Sequence, residues 1–180
     1  MHKEDSEILQ LLRNSSQYEL GFSALVNKYK EPLYWHIRRM VMIHEDADDV
    51  LQNVFIKVYK SVGKFREEAK LYTWLYRIAT NESLSFLRKR KMKYSNVELL
   101  ADRLTVDPYF NGDKIQLALK EAIETLPPKQ KQVFVLRYYD ELGYKDLAEI
   151  LESSVGSLKA SYHHAYKKIE EYLTNMDVKV

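Results

Sequence analysis

Hydrophobic residues recur at helical intervals along nearly the whole chain. In the first long stretch they follow steps of three and four residues, at Phe22, Leu25, Val26, Tyr29, Leu33, Ile37 and Val41. Such spacing places the side chains on one face of an α-helix. We find no two-residue alternation bounded by turns, the pattern typical of strands. The pattern therefore predicts an all-α protein, and Pro32 is expected to kink or break the helix in which it lies.

The same spacing continues over residues 50–62, 71–87 and 115–126, and each stretch predicts a further helix. Pro127 and Pro128 end the last of these stretches and suit the start of a new helix. Residues 94–113 differ, because they are acidic, poorly periodic and rich in turn-forming residues. We therefore predict two small helical domains, residues 1–93 and 114–180, joined by an acidic flexible linker at residues 94–113.

The end of the chain has the spacing of a helix-turn-helix. A helix at 144–151 is followed by a three-residue turn and by a longer helix beginning at Val155, which Ser154 can cap. Val155 and Leu158 are expected to fill the angle between the two helices. Such a unit presents its second helix to the major groove of DNA, although the spacing leaves an ordinary helical hairpin open.

Positive charge is concentrated in one part of the chain. The net charge of the 180 residues is only +2, yet residues 57–93 carry 11 Lys and Arg against 3 Asp and Glu. Residues 127–180 carry 8 of each sign. A basic block of this kind indicates polyanion binding, and a solvated lysine-rich helix face is the alternative.

Several classes of site have no support in the sequence. There is no cysteine, so disulfides and thiolate metal sites are excluded. Neither a glycine-rich phosphate loop nor a nucleophile elbow is present, and the acids and histidines lack metal-site spacing. We expect no enzyme activity, no metal and no cofactor. The charged start and the lack of an apolar run of about 20 residues favour a soluble, cytoplasmic protein without a membrane span.

Three motifs, in order along the chain, resemble those of bacterial sigma factors. The stretch Asp46–Phe55 is similar to the acidic and aromatic signature of region 2. A second set of residues, at 64–66, 73–81 and 87–90, is similar to the promoter-melting part of that region. A third set, at 126–131, 155–159 and His163, is similar to region 4. The order and the linker match the compact extracytoplasmic-function (ECF) group of the sigma-70 family.

This resemblance implies a sigma factor that binds core RNA polymerase and directs promoter recognition and DNA opening in transcription initiation. In the family, an acidic face of region 2 contacts the clamp helices of the largest polymerase subunit, and region 4 contacts the flap. The corresponding polymerase-binding residues here are Asp46, Asp48, Asp49, Gln52 and Phe55. Acidic and amide groups suit basic residues on a partner helix; the alternative is a solvated helix start favoured by the macrodipole.

The resemblance also implies a surface for the minus-ten element of promoter DNA. In the family, the loop before the Trp74 helix receives a base flipped from the non-template strand. Phe65 is the expected base contact, and Trp74 is expected in the core. The minus-ten residues are Phe65, Arg66, Lys70, Arg77, Asn81, Ser85, Arg88 and Lys89, of which Ser85 departs from the acid or amide often found at its position.

Region 4 departs further from the family pattern. Glu152 stands where glycine is usual, and arginines common along the second helix are missing. The DNA-binding residues implied by the resemblance are Lys145, Val155, Ser157, Lys159, Ser161, Tyr162, His163 and Lys167. Because the domain has no excess of positive charge, we predict that it reads the minus-thirty-five element weakly or is recruited by another DNA-bound protein.

Two further expectations concern partners and alternatives. Members of this group are commonly held inactive by an anti-sigma factor that covers the polymerase-binding faces, so an anti-sigma factor is a candidate partner. The alternative function is a stand-alone helix-turn-helix regulator that binds duplex DNA without polymerase. The acidic face at 46–52 favours the sigma factor, because a simple regulator does not need it.

Overall fold

The computed structural model describes residues 4–65, 69–93 and 114–177. The chain divides into two compact units, the first ending at Tyr94 and the second beginning at Ser95. Within the described ranges every regular element is a helix and none is a strand, which confirms the all-α prediction. The predicted linker at 94–113 and the candidate residue Arg66 lie outside the described residues.

Helix α2 is the centre of the first unit. The unit contains α1 (Asp5–Arg13), α2 (Tyr18–Val41), α3 (His44–Ser61) and α4 (Leu71–Lys93), with a short 3₁₀ turn at Val62–Lys64. Helix α2 packs against the other three helices, and α3 also packs against α4. Their shared core contains the periodic positions of the sequence, including Leu25, Leu33, Ile37, Val50, Val54, Val58, Leu75 and Ala79.

The predicted break at Pro32 does not occur, and α2 continues from Tyr18 to Val41. Pro32 is exposed, so its ring lies on the solvent side of the helix. The residues that anchor α2 on either side, Tyr29 and Leu33, are buried. Their tertiary packing compensates for the backbone hydrogen bond that proline cannot donate.

Close contact and charge both hold α1 against α2. A Cβ added at Gly21 would lie 2.8 Å from the backbone nitrogen of Leu12, so glycine permits the approach. The carboxylate of Asp5 accepts hydrogen bonds from the Tyr29 hydroxyl and the Lys28 ammonium group, each at 2.7 Å. Burial, followed by this hydrogen bond, raises the pKa of Tyr29.

The second unit is built around its last helix. It contains α5 (Lys114–Glu124), α6 (Pro128–Phe134), α7 (Tyr144–Leu151) and α8 (Val155–Asp177). A single π-helical stretch, Val135–Tyr139, continues α6. Helices α5, α6 and α7 all pack against α8. One core cluster of this unit comprises Ala122, Ile123, Leu126, Phe134, Ala165 and Ile169.

The turn between α7 and α8 has the predicted length and cap. The hydroxyl of Ser154 accepts a hydrogen bond from the backbone N–H of Ser157 at 3.2 Å. Leu147, Ile150 and Leu158 are buried where the two helices meet. The expectation that Val155 also fills this angle is wrong, because its side chain is 37% exposed. Leu158 lies one turn further into α8 and occupies the space instead.

Candidate functional site

The acidic surface, which we define as Asp46, Asp48, Asp49 and Gln52, occupies the start of α3. The opposite side of the helix is buried through Ala47, Val50 and Val54, so the polar residues face outward. Acids in the first turn of a helix are also favoured by the helix dipole. Asp48, Asp49 and Gln52 are exposed, whereas Asp46 and the predicted contact Phe55 are half-buried.

The members of the acidic surface differ in their partners within the chain. Asp46 forms an ion pair with Arg90 of α4, at 3.0 Å between Oδ2 and Nη1. The Nε2 atom of His44 lies 3.5 Å from Oδ2 of Asp48, whose side chain is 56% exposed. The other ring nitrogen of His44 lies 2.7 Å from the Tyr34 hydroxyl. Asp48 is therefore both oriented and open to solvent, while Asp46 faces into its own unit.

A shallow, open depression lies between the end of α3 and the first half of α4. We call it the lysine–aromatic pocket; its volume is about 520 Å³, and it is lined by Lys57, Lys60, Ser61, Lys64, Phe65, Trp74 and Ile78. Ammonium groups donate hydrogen bonds, and the aromatic rings offer faces for stacking. The pocket combines the two kinds of group that an unpaired nucleobase with its phosphate requires.

Phe65 and Trp74 form the aromatic wall of this pocket. Their ring centroids are 5.2 Å apart with planes inclined at 42°. Phe65 was the expected base contact, and it does line the pocket. Trp74 was expected in the core, yet it is half-buried and lines the pocket beside Phe65. The sequence does not reveal that Trp74 lines the pocket, because its spacing is that of a core residue of α4. One large ring can pack on the core with one edge and reach the surface with the other.

Sequence reasoning missed the pocket residues contributed by α3 and one from α4. Lys57, Lys60 and Ser61 belong to the last turns of α3, and Ile78 to α4. Lys57 also forms an ion pair with Glu82 of α4. The signal available was the lysine spacing at 57, 60 and 64, which fits one helix face. Which side of α4 that face meets is a matter of packing and not of spacing.

The remaining minus-ten candidates lie mainly on α4. Asn81, Arg88 and Lys89 are exposed, and Arg77 and Ser85 are half-buried. Lys70 is exposed just before the helix, with its ammonium group 5.4 Å from the centre of the Tyr72 ring. Because the exposed residues are cationic or carry an amide, this part of α4 can hold phosphates and contact base edges.

The candidates of the helix-turn-helix are spread over α7 and the first half of α8. Lys145, Val155, Lys159, His163 and Lys167 are exposed, and Ser157, Ser161 and Tyr162 are half-buried. The hydroxyl of Ser157 lies 3.2 Å from the ammonium group of Lys129. The start of α8 thus presents hydroxyl and ammonium groups together.

Aromatic side chains form much of the surface beside these residues. The ring of Phe134 is stacked against Tyr138 at 5.0 Å and against Tyr162 at 5.9 Å, both inclined at 14°. The cations of Arg137 and Lys159 lie 5.5 and 5.7 Å from the centre of the Tyr144 ring. A cleft of about 530 Å³ is lined by Arg137, Tyr138, Glu141, Tyr144 and Tyr162.

The tyrosines of this aromatic surface differ in how far they are exposed to solvent. Tyr138 is 50% and Tyr166 is 52% exposed. Burial raises the pKa of Tyr162. An exposed tyrosine surface beside two cations fits contact with protein or with DNA.

The described parts of the chain contain neither a metal-binding cluster nor a membrane-spanning helix. Between residues 4 and 177, apart from the segments left undescribed, no three His, Asp or Glu side chains come together as a metal site would require. Over the same residues, no helix combines the length and the apolar character needed to cross a membrane.

Two family models match the chain. The model described as Sigma-70 region 2 matches residues 25–92, and the model described as Sigma-70, region 4 matches residues 116–169. The first range contains the acidic surface and the lysine–aromatic pocket. The second contains the helix-turn-helix and its aromatic surface.

Curated relatives are similar over most of the chain. The ECF RNA polymerase sigma factor SigW of Bacillus subtilis is 29% identical, covering 87% of this chain and 90% of its own length. The ECF RNA polymerase sigma-E factor of Haemophilus influenzae is 30% identical, with 83% and 86% covered.

Two solved structures resemble the fold. The sigma factor RpoE, in complex with the anti-sigma factor NepR from Bartonella quintana, has a TM-score of 0.68 and 22% identity, covering 85% of this chain and 96% of its own. CnrH, in complex with the cytosolic domain of CnrY, has a TM-score of 0.70 and 19% identity, with 95% and 97% covered.

Proposed function

This chain belongs to the ECF group of the sigma-70 family of RNA polymerase sigma factors, and on that premise we propose how its two units divide the work of transcription initiation. As a sigma factor it associates with core RNA polymerase and directs it to promoter DNA. Sigma factors are not enzymes, since nucleotide addition belongs to the polymerase. The observation that supports this proposal is that the acidic surface and the lysine–aromatic pocket lie on the same group of packed helices, in the first unit.

The acidic surface is assigned to the clamp helices of the polymerase. Asp48, Asp49 and Gln52 are exposed on adjacent turns of α3 and carry acidic and amide groups. Such groups complement basic residues on a partner helix, and partly exposed charges govern the rate and specificity of association. Phe55, half-buried one turn further on, supplies an apolar edge to this contact.

The lysine–aromatic pocket is assigned to a base flipped out of the minus-ten element. Extruding a base from the duplex costs a few kcal/mol, which stacking on an aromatic ring can offset. Phe65 and Trp74 provide the rings, and Lys60 and Lys64 provide donors for the base or its phosphate. Arg88 and Lys89, exposed further along α4, would then follow the strand backbone.

Region 4 is assigned a weaker role in DNA reading. Lys145, Lys159 and Lys167 are exposed, yet residues 127–180 carry no net charge. The neighbouring tyrosines, of which Tyr138 and Tyr166 are half exposed, suit a protein partner. We assign this unit to the polymerase flap and either to a weak contact with the minus-thirty-five element or to recruitment by another DNA-bound protein.

Regulation and location follow from the same membership. A related fold, RpoE, is found in complex with an anti-sigma factor. We propose that an anti-sigma factor also acts on this chain by covering the acidic surface, because that would deny the polymerase its contact. A partner of core polymerase works in the cytoplasm, which is the location we assign.

Transcription in vitro tests the main assignment. The protein is added to bacterial core polymerase with DNA from its own upstream region, and we expect a defined transcript that core enzyme alone does not produce.

A titration of core binding tests the assignment of the acidic surface. Reversing charge with Asp48→Lys and Asp49→Lys should weaken core binding about tenfold or more. The matched control is Glu7→Lys with Glu31→Lys, two exposed acids of α1 and α2 outside the acidic surface, which should bind core as the wild type does. Equal weakening by both pairs would contradict the clamp assignment and indicate a non-specific charge effect.

A further inference from the structure

Arg90 lies where three helices of the first unit meet. Its Nη1 atom is 3.0 Å from Oδ2 of Asp46, in the first turn of α3. The same atom is 3.5 Å from the backbone oxygen of Val41, the last residue of α2. Arg90 itself belongs to the end of α4. One guanidinium group therefore ties the end of α4 to the end of α2 and the start of α3.

The surroundings strengthen this junction. The side chains of Arg90 and Asp46 are only 19% and 16% exposed, so water screens their attraction less than that of a surface pair. The carbonyl of Val41 is at a helix C-terminus, where backbone oxygens lack intrahelical partners. Arginine suits such a place, because its planar group offers five donors in a fixed arrangement.

The neighbours of the pair point outward. Arg88 and Lys89 are exposed on α4, and Asp48 and Asp49 are exposed on α3. Each helix thus presents charged groups to solvent, while Asp46 of α3 and Arg90 of α4 point toward each other. This arrangement separates Asp46 from the rest of the acidic surface and Arg90 from the cations beside it.

We propose that Arg90 and Asp46 are positioning residues, which fix the DNA-contacting face of α4 relative to the polymerase-contacting face of α3. They act through each other, while Asp48 and Asp49 contact the polymerase and Arg88 and Lys89 contact the DNA strand. The proposal rests on the assigned functions of α3 and α4. It also removes Asp46, which the sequence motif places among the polymerase contacts, from that set.

A double-mutant cycle tests whether the two residues act as one unit. Arg38 is buried nearby. Burial lowers its pKa, and Tyr34, Glu45 and Asp46 oppose this lowering, so a positive charge at position 46 would repel Arg38 as well as Arg90. Neutral variants are therefore used: Asp46→Asn, Arg90→Gln and the two combined. We expect each single variant to slow open-complex formation at saturating core enzyme about fivefold, and the double variant to be no slower than either. Losses that multiply in the double variant would overturn the proposal, since they would mean that Asp46 and Arg90 contact separate partners.

The salt dependence of promoter binding separates positioning from direct contact. A cation that neutralises a phosphate contributes about one unit to the slope of log affinity against log salt. Arg88→Gln should therefore flatten the slope by about one unit. Arg90→Gln should lower affinity and leave the slope unchanged. Equal flattening by the two variants would make Arg90 a phosphate contact and overturn the proposal.

Hydrogen exchange of the free protein gives a readout that needs no polymerase. Asp46→Asn and Arg90→Gln should both speed amide exchange near the end of α4, at residues 87–90, and should leave the exchange of α1 unchanged. Arg90→Lys, which keeps the charge but loses the fork, should restore part of the protection. Unchanged amide exchange in both neutral variants would overturn the positioning role of Arg90 and Asp46. Failure of the wild-type protein to open promoters would instead overturn the proposed function, so the two outcomes are distinguishable.

Discussion

At the scale of single residues, the aromatic wall of the lysine–aromatic pocket depends on Phe65. This residue follows the 3₁₀ turn after α3, and the centroid of its ring lies 5.2 Å from that of Trp74. The sequence identifies Phe65 as a base contact because it is an aromatic residue in a loop beside charged residues. The sequence assigns Trp74 to the core, because its spacing agrees with the hydrophobic stripe of α4.

Removing this ring should impair promoter opening. Phe65→Ala is expected to slow open-complex formation by about tenfold, since base–aromatic stacking is worth about 1–3 kcal/mol. Phe65→Tyr keeps the ring and should open promoters nearly as well as the wild type. The measurement is a stopped-flow fluorescence assay with saturating core enzyme. If Phe65→Ala opened promoters as fast as the wild type, the assignment of a flipped base to this pocket would be wrong.

A second residue-scale prediction concerns Tyr29, which anchors α1. Because its pKa is raised in the folded state, the neutral form stabilises the fold. This stability is fully present below pH about 10, the ordinary tyrosine value, and is lost as the pH rises above it. Tyr29→Phe should therefore make the fall in unfolding free energy between pH 10 and 11.5 shallower, by up to about 1.4 kcal/mol per pH unit. Urea unfolding of the wild type and the variant at each pH measures the unfolding free energy.

A Tyr29→Phe protein with the same alkaline fall in unfolding free energy as the wild type would contradict the prediction, because it would mean that Tyr29 is not held buried and neutral in the folded protein.

At the scale of elements, the turn of the helix-turn-helix contains a strained residue. Glu152 ends α7 in the left-handed region, with φ of 48° and ψ of 49°. Glycine adopts this conformation without the clash that a Cβ causes, which explains why a glycine is usual there in the family that the sequence resembles.

Replacing this residue should stabilise the second unit. Glu152→Gly is expected to raise the unfolding free energy by about 1 kcal/mol, because the strain of the left-handed conformation exceeds the entropy that glycine adds to the unfolded chain. Glu152→Gln keeps the strain and removes the charge, so it isolates the backbone effect. Thermal unfolding of the three proteins decides the matter: a glycine variant no more stable than the glutamine variant would contradict it.

At the scale of the whole molecule, charge is divided unequally between the two units. Residues 57–93 hold 11 cations against 3 anions, and residues 127–180 hold 8 of each. Since counterion release from phosphates drives much of the affinity for DNA, the first unit should supply most of it. The second unit offers tyrosines instead, which favour contact with protein.

The division predicts unequal dependence on the two promoter elements. Replacing the minus-ten sequence should abolish transcription, with a loss of about a hundredfold, whereas replacing the minus-thirty-five sequence should reduce it less than about fivefold. Run-off transcription with purified holoenzyme measures both. A larger loss for the upstream replacement, or strong protection of upstream duplex in a footprint, would show that region 4 reads DNA strongly after all.

The sequence by itself determined the helical fold, the bounds of α7 and the cap at Ser154, because these depend on spacing and on side chains close in the chain. It also placed the acids of α3 and the cations of α4 on their helices. Only the tertiary structure decided which of these groups face each other. Asp46 meets Arg90, Lys60 and Lys64 of one segment meet Trp74 of another, and the packing against α2 keeps Pro32 within an unbroken helix. Such contacts join residues distant in the chain, and helical periodicity fixes the face of each helix without fixing the face that it meets.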